Sequence, residues 1–259
     1  MKITILGGGN MGGAIAKGLA SGSMFKPEDI TVINKCNSRA DEFRRLNINA
    51  VSGVYDSVSD ADIVIIALKP WLVKVVVEEL AEKFVKKGQI IVSVAAGISL
   101  KDLESWLPSD KAVYRAIPNT AIAVKQSMTF LASNNLSVER DRLLLNIFEE
   151  LGQAAIIEER MLSAATSLSS CGIAYAFRYI RAAMEGGIEM GIFPDQAKNI
   201  VLQTLKGAID LLEANGSHPE QEIDKVTTPG GITIKGLNEM EHAGFSSAVI
   251  KGLKASNIE

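Results

Sequence analysis

The sequence predicts a doubly wound α/β domain followed by an all-helical domain. Three observations carry that prediction. Short β-type runs alternate with helical patterns through roughly the first 156 residues, the mark of parallel βαβ units. A glycine-rich turn, GGGNMGG, separates the first such run from the first helical pattern. From about Met161 no convincing strand appears and the apolar spacing becomes helical. The boundary is expected between Ile156 and Ser163, dividing the chain into domains 1–158 and 159–259.

Taken in order, KITIL (2–6) is the first strand, and Met11 to Ala20 begins a helix rich in small residues. ITVI (30–33) is a second strand, followed by a charged helix around SRADEFRRL (38–46). DIVIIAL (62–68) is apolar throughout, as a strand covered on both faces should be. QIIVSVAA (89–96) and KAVYRAI (111–117) repeat the theme, SMTFLA (127–132) adds a last strand, and a helix runs from Val138 to Leu151.

Beyond the boundary, Met161 to Phe177 reads as a buried helix. AYAFRYIRAAMEGGIEMGI is apolar nearly all round, with Arg178, Arg181, Glu185 and Glu189 marking an outer stripe. Such a helix needs neighbours on several sides, which a small helical domain supplies most readily by pairing with a second subunit. PDQAKNIVLQTLKGAIDLLEA (194–214) opens with Pro194-Asp195 and stops before Asn215-Gly216. The last helix places Phe245, Ala248, Val249, Gly252 and Leu253 on one face.

Composition narrows the function. At 259 residues, 47% hydrophobic and 22% charged, the chain is long enough for a proper core. A net charge of −3 argues against a nucleic-acid footprint, and no Lys/Arg run suits an anionic membrane. Cys36 and Cys171 form no CxxC spacing and suit a reduced, cytoplasmic setting. His218 and His242 alone cannot build a metal centre, so no metal is expected. The apolar stretch Ile3–Leu6 is too short for a secretory signal.

In GGGNMGG, Gly7, Gly9 and Gly12 have the G-x-G-x-x-G spacing after a strand and before a helix. Those glycines permit a tight turn, approach of a pyrophosphate to the backbone, and close helix–strand packing. The helix N-terminus, with the amides of Asn10 and Met11, then attracts phosphate. The first domain is therefore expected to be a Rossmann-type dinucleotide-binding fold. An acidic residue ending the second strand would suit NAD. Asn34 stands there, with Lys35, Ser38 and Arg39 beyond, which favours the 2′-phosphate of NADP(H) and leaves NAD(H) open. Lys35 and Arg39 read otherwise as solvated surface charges. ALKP (67–70), ending a buried strand, brings Ala67, Lys69 and Pro70 to the same sheet edge.

A second glycine turn, TTPGGIT (227–233), precedes a helical stretch. Amides of Gly230, Gly231 and Ile232, with hydroxyls from Thr228 and Thr233, could form an anion pocket. The alternative is a helix start without ligand, Thr228 as N-cap and Pro229 at N1.

Together, GGGNMGGAIAKGL, ALKP, SVAAGI (93–98), PNT (118–120), AYAF (174–177), MGI (190–192) and TTPGGIT resemble the pyrroline-5-carboxylate reductase family over nearly the whole chain. The last motif is the specific one. The resemblance implies a Rossmann domain, a helical dimerisation domain, an active site at the dimer interface, and NAD(P)H-dependent reduction of a cyclic imine to L-proline. It implies that Thr228, Gly230, Gly231 and Thr233 bind the substrate carboxylate, with Thr233 as the catalytic residue at the ring nitrogen. It extends the cofactor set to Ala96 and Asn119. Imine reduction asks for positioning rather than a nucleophile or metal, which suits a chain without either.

Some positions depart from the family pattern. SSCGIAY (169–175) carries Ser170, Cys171 and Ile173 where glycine, serine and proline are usual, and Val54 replaces an asparagine. Rival readings are an NADP-dependent reductase of another imine or small acid, and a non-catalytic NADP-binding regulator.

Overall fold

A computed structural model of the chain describes residues 1–35, 39–134 and 137–257. It folds as two compact units, Met1–Ser170 and a second beginning at Cys171.

The first unit is built on one eight-stranded sheet. In chain order come β1 (Ile3–Leu6), α1 (Asn10–Ala20), β2 (Ile30–Asn34), α2 (Ala40–Arg44), β3 (Asn49–Ser52), α3 (Asp56–Asp60), β4 (Ile63–Ile66) and α4 (Pro70–Glu79). They are followed by β5 (Ile90–Ser93), α5 (Leu100–Trp106), β6 (Ala112–Ile117), β7 (Ser127–Ser133), α6 (Val138–Glu149), β8 (Gly152–Ile156) and α7 (Leu162–Thr166). The strand order is β3-β2-β1-β4-β5-β6-β7-β8. The first six strands are parallel, with Ile3 in register with both Ile30 and Ile63. β7 runs antiparallel to β6, and β8 parallel to β7. Chain order reverses between β1 and β4, the switch point where such sheets open a crevice.

Why these strands form is plain from their burial. β1, β4 and β5 are buried at every residue, because helices cover both faces. One face packs Ile5, Ile15, Leu19, Phe43, Tyr114 and Phe148; the other packs Leu6, Val64, Ile66, Val77 and Leu103. Each such side chain contributes about 1.5–3 kcal/mol of burial free energy.

Two strands went unforeseen. NAVS has polar ends and sits at the sheet edge as β3. GQAAI, poor in β-formers, becomes β8 because tertiary pairing holds it: Ser127 N–H donates to the Leu151 carbonyl at 3.0 Å, and Ser127 lies in register with Gly152. Gly152 has φ +140°, and a Cβ there would collide with the Ser127 backbone.

The first unit continues past the expected boundary at 158/159. The cause is packing: Leu162 of α7 joins Ile117 and Ala132 in a small core of its own. α7 then runs into a π-helical turn, Ser167–Cys171.

The second unit contains α8 (Gly172–Glu189), α9 (Pro194–Asn215), α10 (Pro219–Val226), α11 (Ile232–His242) and α12 (Phe245–Ser256). α9 opens on Pro194 as foreseen and closes on Gly216 with φ +58°. α8 and α9 approach at Gly187, where an added Cβ would lie 3.3 Å from that of Ala197. Gly187 and Ala197 are the only buried residues among those described in this unit. The buried helix expected over Met161–Phe177 holds only at its start: Leu162 and Ala165 are buried, whereas Leu168 and Phe177 are each 65% exposed, since one copy of the chain offers nothing to cover them. No helix among the described residues is long and apolar enough to cross a membrane.

Candidate active site

Gly7 leaves β1 with φ +104°, and a Cβ there would stand 2.5 Å from the Ala67 carbonyl. Only glycine fits that approach. A Cβ on Gly12 would strike the Gly7 carbonyl and lie 2.8 Å from the Ala67 side chain, so α1 packs against the end of β4. Around Gly9 there is open space. Gly9 is also the N-cap of α1 and offers no side-chain cap, leaving the first helical amides, from Asn10, Met11 and Gly12, for a ligand. An open cradle, bare backbone donors and a helix dipole fit a pyrophosphate.

Asn34 makes a contact that its place in the sequence does not show. Its Oδ1 accepts the Gly8 N–H at 2.6 Å, bracing the glycine turn, and its Nδ2 is buried without a partner. Gly8 is not among the expected cofactor residues. A Cβ on it would press within 2.7 Å of the Asn34 side chain, and the third consecutive glycine was the available signal. Lys35 is exposed and forms no ion pair among the described residues. Arg39 is only half-exposed and lies 3.4 Å from Glu42, which Lys17 also engages at 2.9 Å. Lys17, then Arg39, hold the Glu42 carboxyl below its usual range. Ser38 and Cys36 lie outside the described residues.

The remaining cofactor candidates follow the carboxyl ends of parallel strands and so share one sheet edge with the glycine turn. Ala67 and the exposed Lys69 follow β4; Lys69 is the N-cap of α4 and Pro70 its first residue. Ala96, exposed, follows β5. Asn119 follows β6, but it is only 6% exposed and its side chain is spent on protein: Oδ1 accepts from the Ala121 N–H at 2.9 Å, and Nδ2 donates to the Ser169 carbonyl at 3.2 Å.

In the second unit, Thr228-Pro229-Gly230-Gly231 closes a β-turn, with Gly231 N–H donating to the Thr228 carbonyl at 2.9 Å. Pro229 fills the second position and Gly230, at φ +73°, the third, which is type II chemistry. Two sequence readings are thereby corrected. Thr228 is not an N-cap: α11 starts at Ile232 with Gly231 before it. The Gly231 amide is not free, because the turn uses it. The donors left are Gly230 N–H and the first amides of α11, from Ile232 and Thr233. A Cβ on Gly231 would lie 2.6 Å from the Thr228 hydroxyl, so this position stays bare. Thr228 and Thr233 are both exposed.

Elsewhere in this unit, Tyr175, Tyr179, Met240, Phe245, Val249 and Gly252 line an apolar groove of about 570 Å³ between α8, α11 and α12. The α12 stripe read from the sequence forms one wall. Among the described residues no His, Cys, Asp or Glu cluster could hold a metal. Cys171 is a free, half-buried thiol, and Val54 is half-exposed.

A glycine turn at the switch point of a doubly wound sheet, with a helical domain after it, defines a pyridine-nucleotide-dependent oxidoreductase. A family model described as pyrroline-5-carboxylate reductase dimerisation matches residues 159–258, and one described as NADP oxidoreductase, coenzyme F420-dependent, matches 2–97. Pyrroline-5-carboxylate reductase 2 of Dictyostelium discoideum is 36% identical over 98% of this chain and 90% of its own length. Reductase 1 of the same organism is 41% identical over 98% of this chain, which spans 48% of that longer protein. The Arabidopsis thaliana pyrroline-5-carboxylate reductase is 34% identical over 98% of this chain and 92% of its own. The structure of the Plasmodium falciparum pyrroline carboxylate reductase with NADP bound superposes with a TM-score of 0.89, at 26% identity, over 99% of this chain and 95% of that one. The Coxiella burnetii pyrroline-5-carboxylate reductase gives 0.91 at 28% identity, over 98% and 95%. The chain belongs to the pyrroline-5-carboxylate reductase family.

Proposed function

We propose that the chain reduces 1-pyrroline-5-carboxylate to L-proline in a cytoplasmic homodimer, with domain 1–158 holding NADPH and 159–259 serving substrate binding and dimerisation. The observation that carries this reading is similarity to reductases of that name over 98% of the chain. Bound NADPH supplies the hydride. The chain's own task is to hold and orient.

Gly7, Gly9 and Gly12 let the backbone approach the pyrophosphate, and the Asn10 and Met11 amides bind it. Ala67, Lys69, Pro70 and Ala96 border the nicotinamide end. Lys35, unpaired among the described residues, meets the 2′-phosphate, whereas Arg39 must be shared with Glu42. Asn34 serves from behind by fixing Gly8. The substrate carboxylate rests on the Gly230, Ile232 and Thr233 amides, with Thr228 and Thr233 hydroxyls beside them, and Gly231 keeps the turn narrow. Thr233, in the first turn of α11, orients the ring nitrogen. Correct placement of the two reacting carbons supplies much of the rate, and no strong acid is needed.

The test follows NADPH absorbance after 1-pyrroline-5-carboxylate is added to the purified protein, with NADH in parallel. Substrate-dependent oxidation, faster with NADPH, is expected. Folded protein that oxidises neither cofactor would remove the activity, and a faster NADH reaction would remove the role given to Lys35.

A further inference from the structure

The family resemblance implies Asn119 as a cofactor ligand, yet its polar atoms turn inward. Its N–H donates to Ser127 Oγ at 3.1 Å, Oδ1 takes the Ala121 N–H at 2.9 Å, and Nδ2 reaches the Ser169 carbonyl at 3.2 Å. Asn119 and Ser127 are 6% and 2% exposed, and the Ser127 hydroxyl is itself 3.1 Å from that of Thr129. This is a fully packed polar anchor at the end of β6.

What it anchors is unusual. Ser169 lies in the π-helical turn Ser167–Cys171. Such a turn widens the backbone by one residue and disturbs the ordinary pairing of its carbonyls; single π-turns recur at functional sites. The Asn119 amide fills the need of one carbonyl, and Ser170 Oγ adds a longer bond of 3.4 Å to the Pro118 carbonyl. The π-turn is thus tied twice to the segment following β6, at the same sheet edge as GGGNMGG and ALKP.

We propose that Asn119 is a positioning residue for hydride transfer: it holds the π-turn Ser167–Cys171 against the carboxyl end of β6 rather than touching the cofactor. The proposal rests on the reductase reading above. Reacting atoms held at near-attack distance tolerate little displacement, so a loosened tie lowers turnover while phosphates elsewhere on the edge stay bound.

Asn119→Asp separates the roles. It keeps an acceptor for the Ala121 N–H and sets an anion against the Ser169 carbonyl. Three measurements are made on the full chain: kcat and KM for the imine, NADPH dissociation constant by fluorescence, and amide hydrogen exchange. Exchange over residues 167–174 should accelerate about tenfold to a hundredfold, the scale of one lost buried hydrogen bond, with β1 and β4 unchanged. kcat should fall about tenfold or more, and the NADPH constant should stay within about threefold. A rise in that constant matching the loss in kcat/KM would make Asn119 a cofactor ligand and overturn the proposal. So would unchanged exchange over the turn. Ser170→Ala, which removes only the companion bond, should move exchange and kcat in the same direction by a smaller factor, and decides the matter if Asn119→Asp fails to fold. Wild-type protein without imine turnover would sink the reaction reading instead, while exchange and NADPH affinity would still judge the tie.

Discussion

Tyr114, Phe43 and Phe148 in the first unit are wholly buried between sheet and helices, whereas Phe177, Phe193 and Ile232 in the second are 65%, 74% and 88% exposed. Both units come from one chain of ordinary composition, and both form regular elements with sound starts and stops. They differ in whether helices find apolar neighbours within the same copy. The first unit closes two cores around a sheet. The second packs α8 on α9 and sets Tyr179 edge-on to Phe245 with ring centres 6.4 Å apart, but leaves whole helix faces bare. Secondary structure and a hydrophobic core are therefore separable achievements, and a helical unit with only the first is built for a partner. The match of residues 159–258 to a dimerisation family agrees with that reading.

Four substitutions test this contrast. The largest effect belongs to Phe148→Ala, which should lower unfolding free energy by about 3–5 kcal/mol at any protein concentration; a loss below about 1 kcal/mol in denaturant titration would mean that this core is looser than it looks. Next comes Phe177→Ala, which should leave the first unit's melting unchanged and weaken self-association about tenfold or more in sedimentation equilibrium. Unaltered self-association would place Phe177 outside the interface. Third, Thr233→Ala tests whether exposure in the second unit reflects function. It should lower kcat by roughly tenfold, the scale of one lost orienting contact, with NADPH affinity and melting temperature unchanged; full turnover would take Thr233 out of the reaction.

The smallest effect is on pH. Glu222 is held down to about 2, first by the Lys225 ammonium at 2.7 Å and then by the Ser217 hydroxyl, from an ordinary value of 4.5. A depressed carboxyl stabilises the fold above its unfolded value and loses that contribution as pH falls toward the folded one. Glu222→Gln should therefore flatten the decline in stability between pH 4.5 and about 2, seen by acid titration of the circular dichroism. An unchanged acid limb would mean that solvent screens the pair entirely.

The sequence made much of this legible where the signal is local. Four buried residues in a row, as in β4, or a proline and a glycine bracketing α9, act through their immediate neighbours. Features that depend on distant partners were hidden. β8 exists because Ser127 and Leu131 pair with it, against its own weak propensity. The protein contacts of Asn34 and Asn119 were hidden for a related reason: Gly8 lies 26 residues from the first, and Ser169 lies 50 from the second. The second glycine turn was only half legible. Its anion-binding character could be argued from residue types, but the consumption of the Gly231 amide by the turn required the backbone path.

The bare faces of the second unit also bear on how the protein is born. Synthesis proceeds from the N-terminus, so the self-sufficient sheet leaves the ribosome before the helices that need company. A new chain can finish the sheet alone and then wait, with sticky surface exposed, until it meets other copies. That meeting is second order in chain concentration. Sparse expression would thus lengthen the interval in which proteases and aggregation compete with assembly.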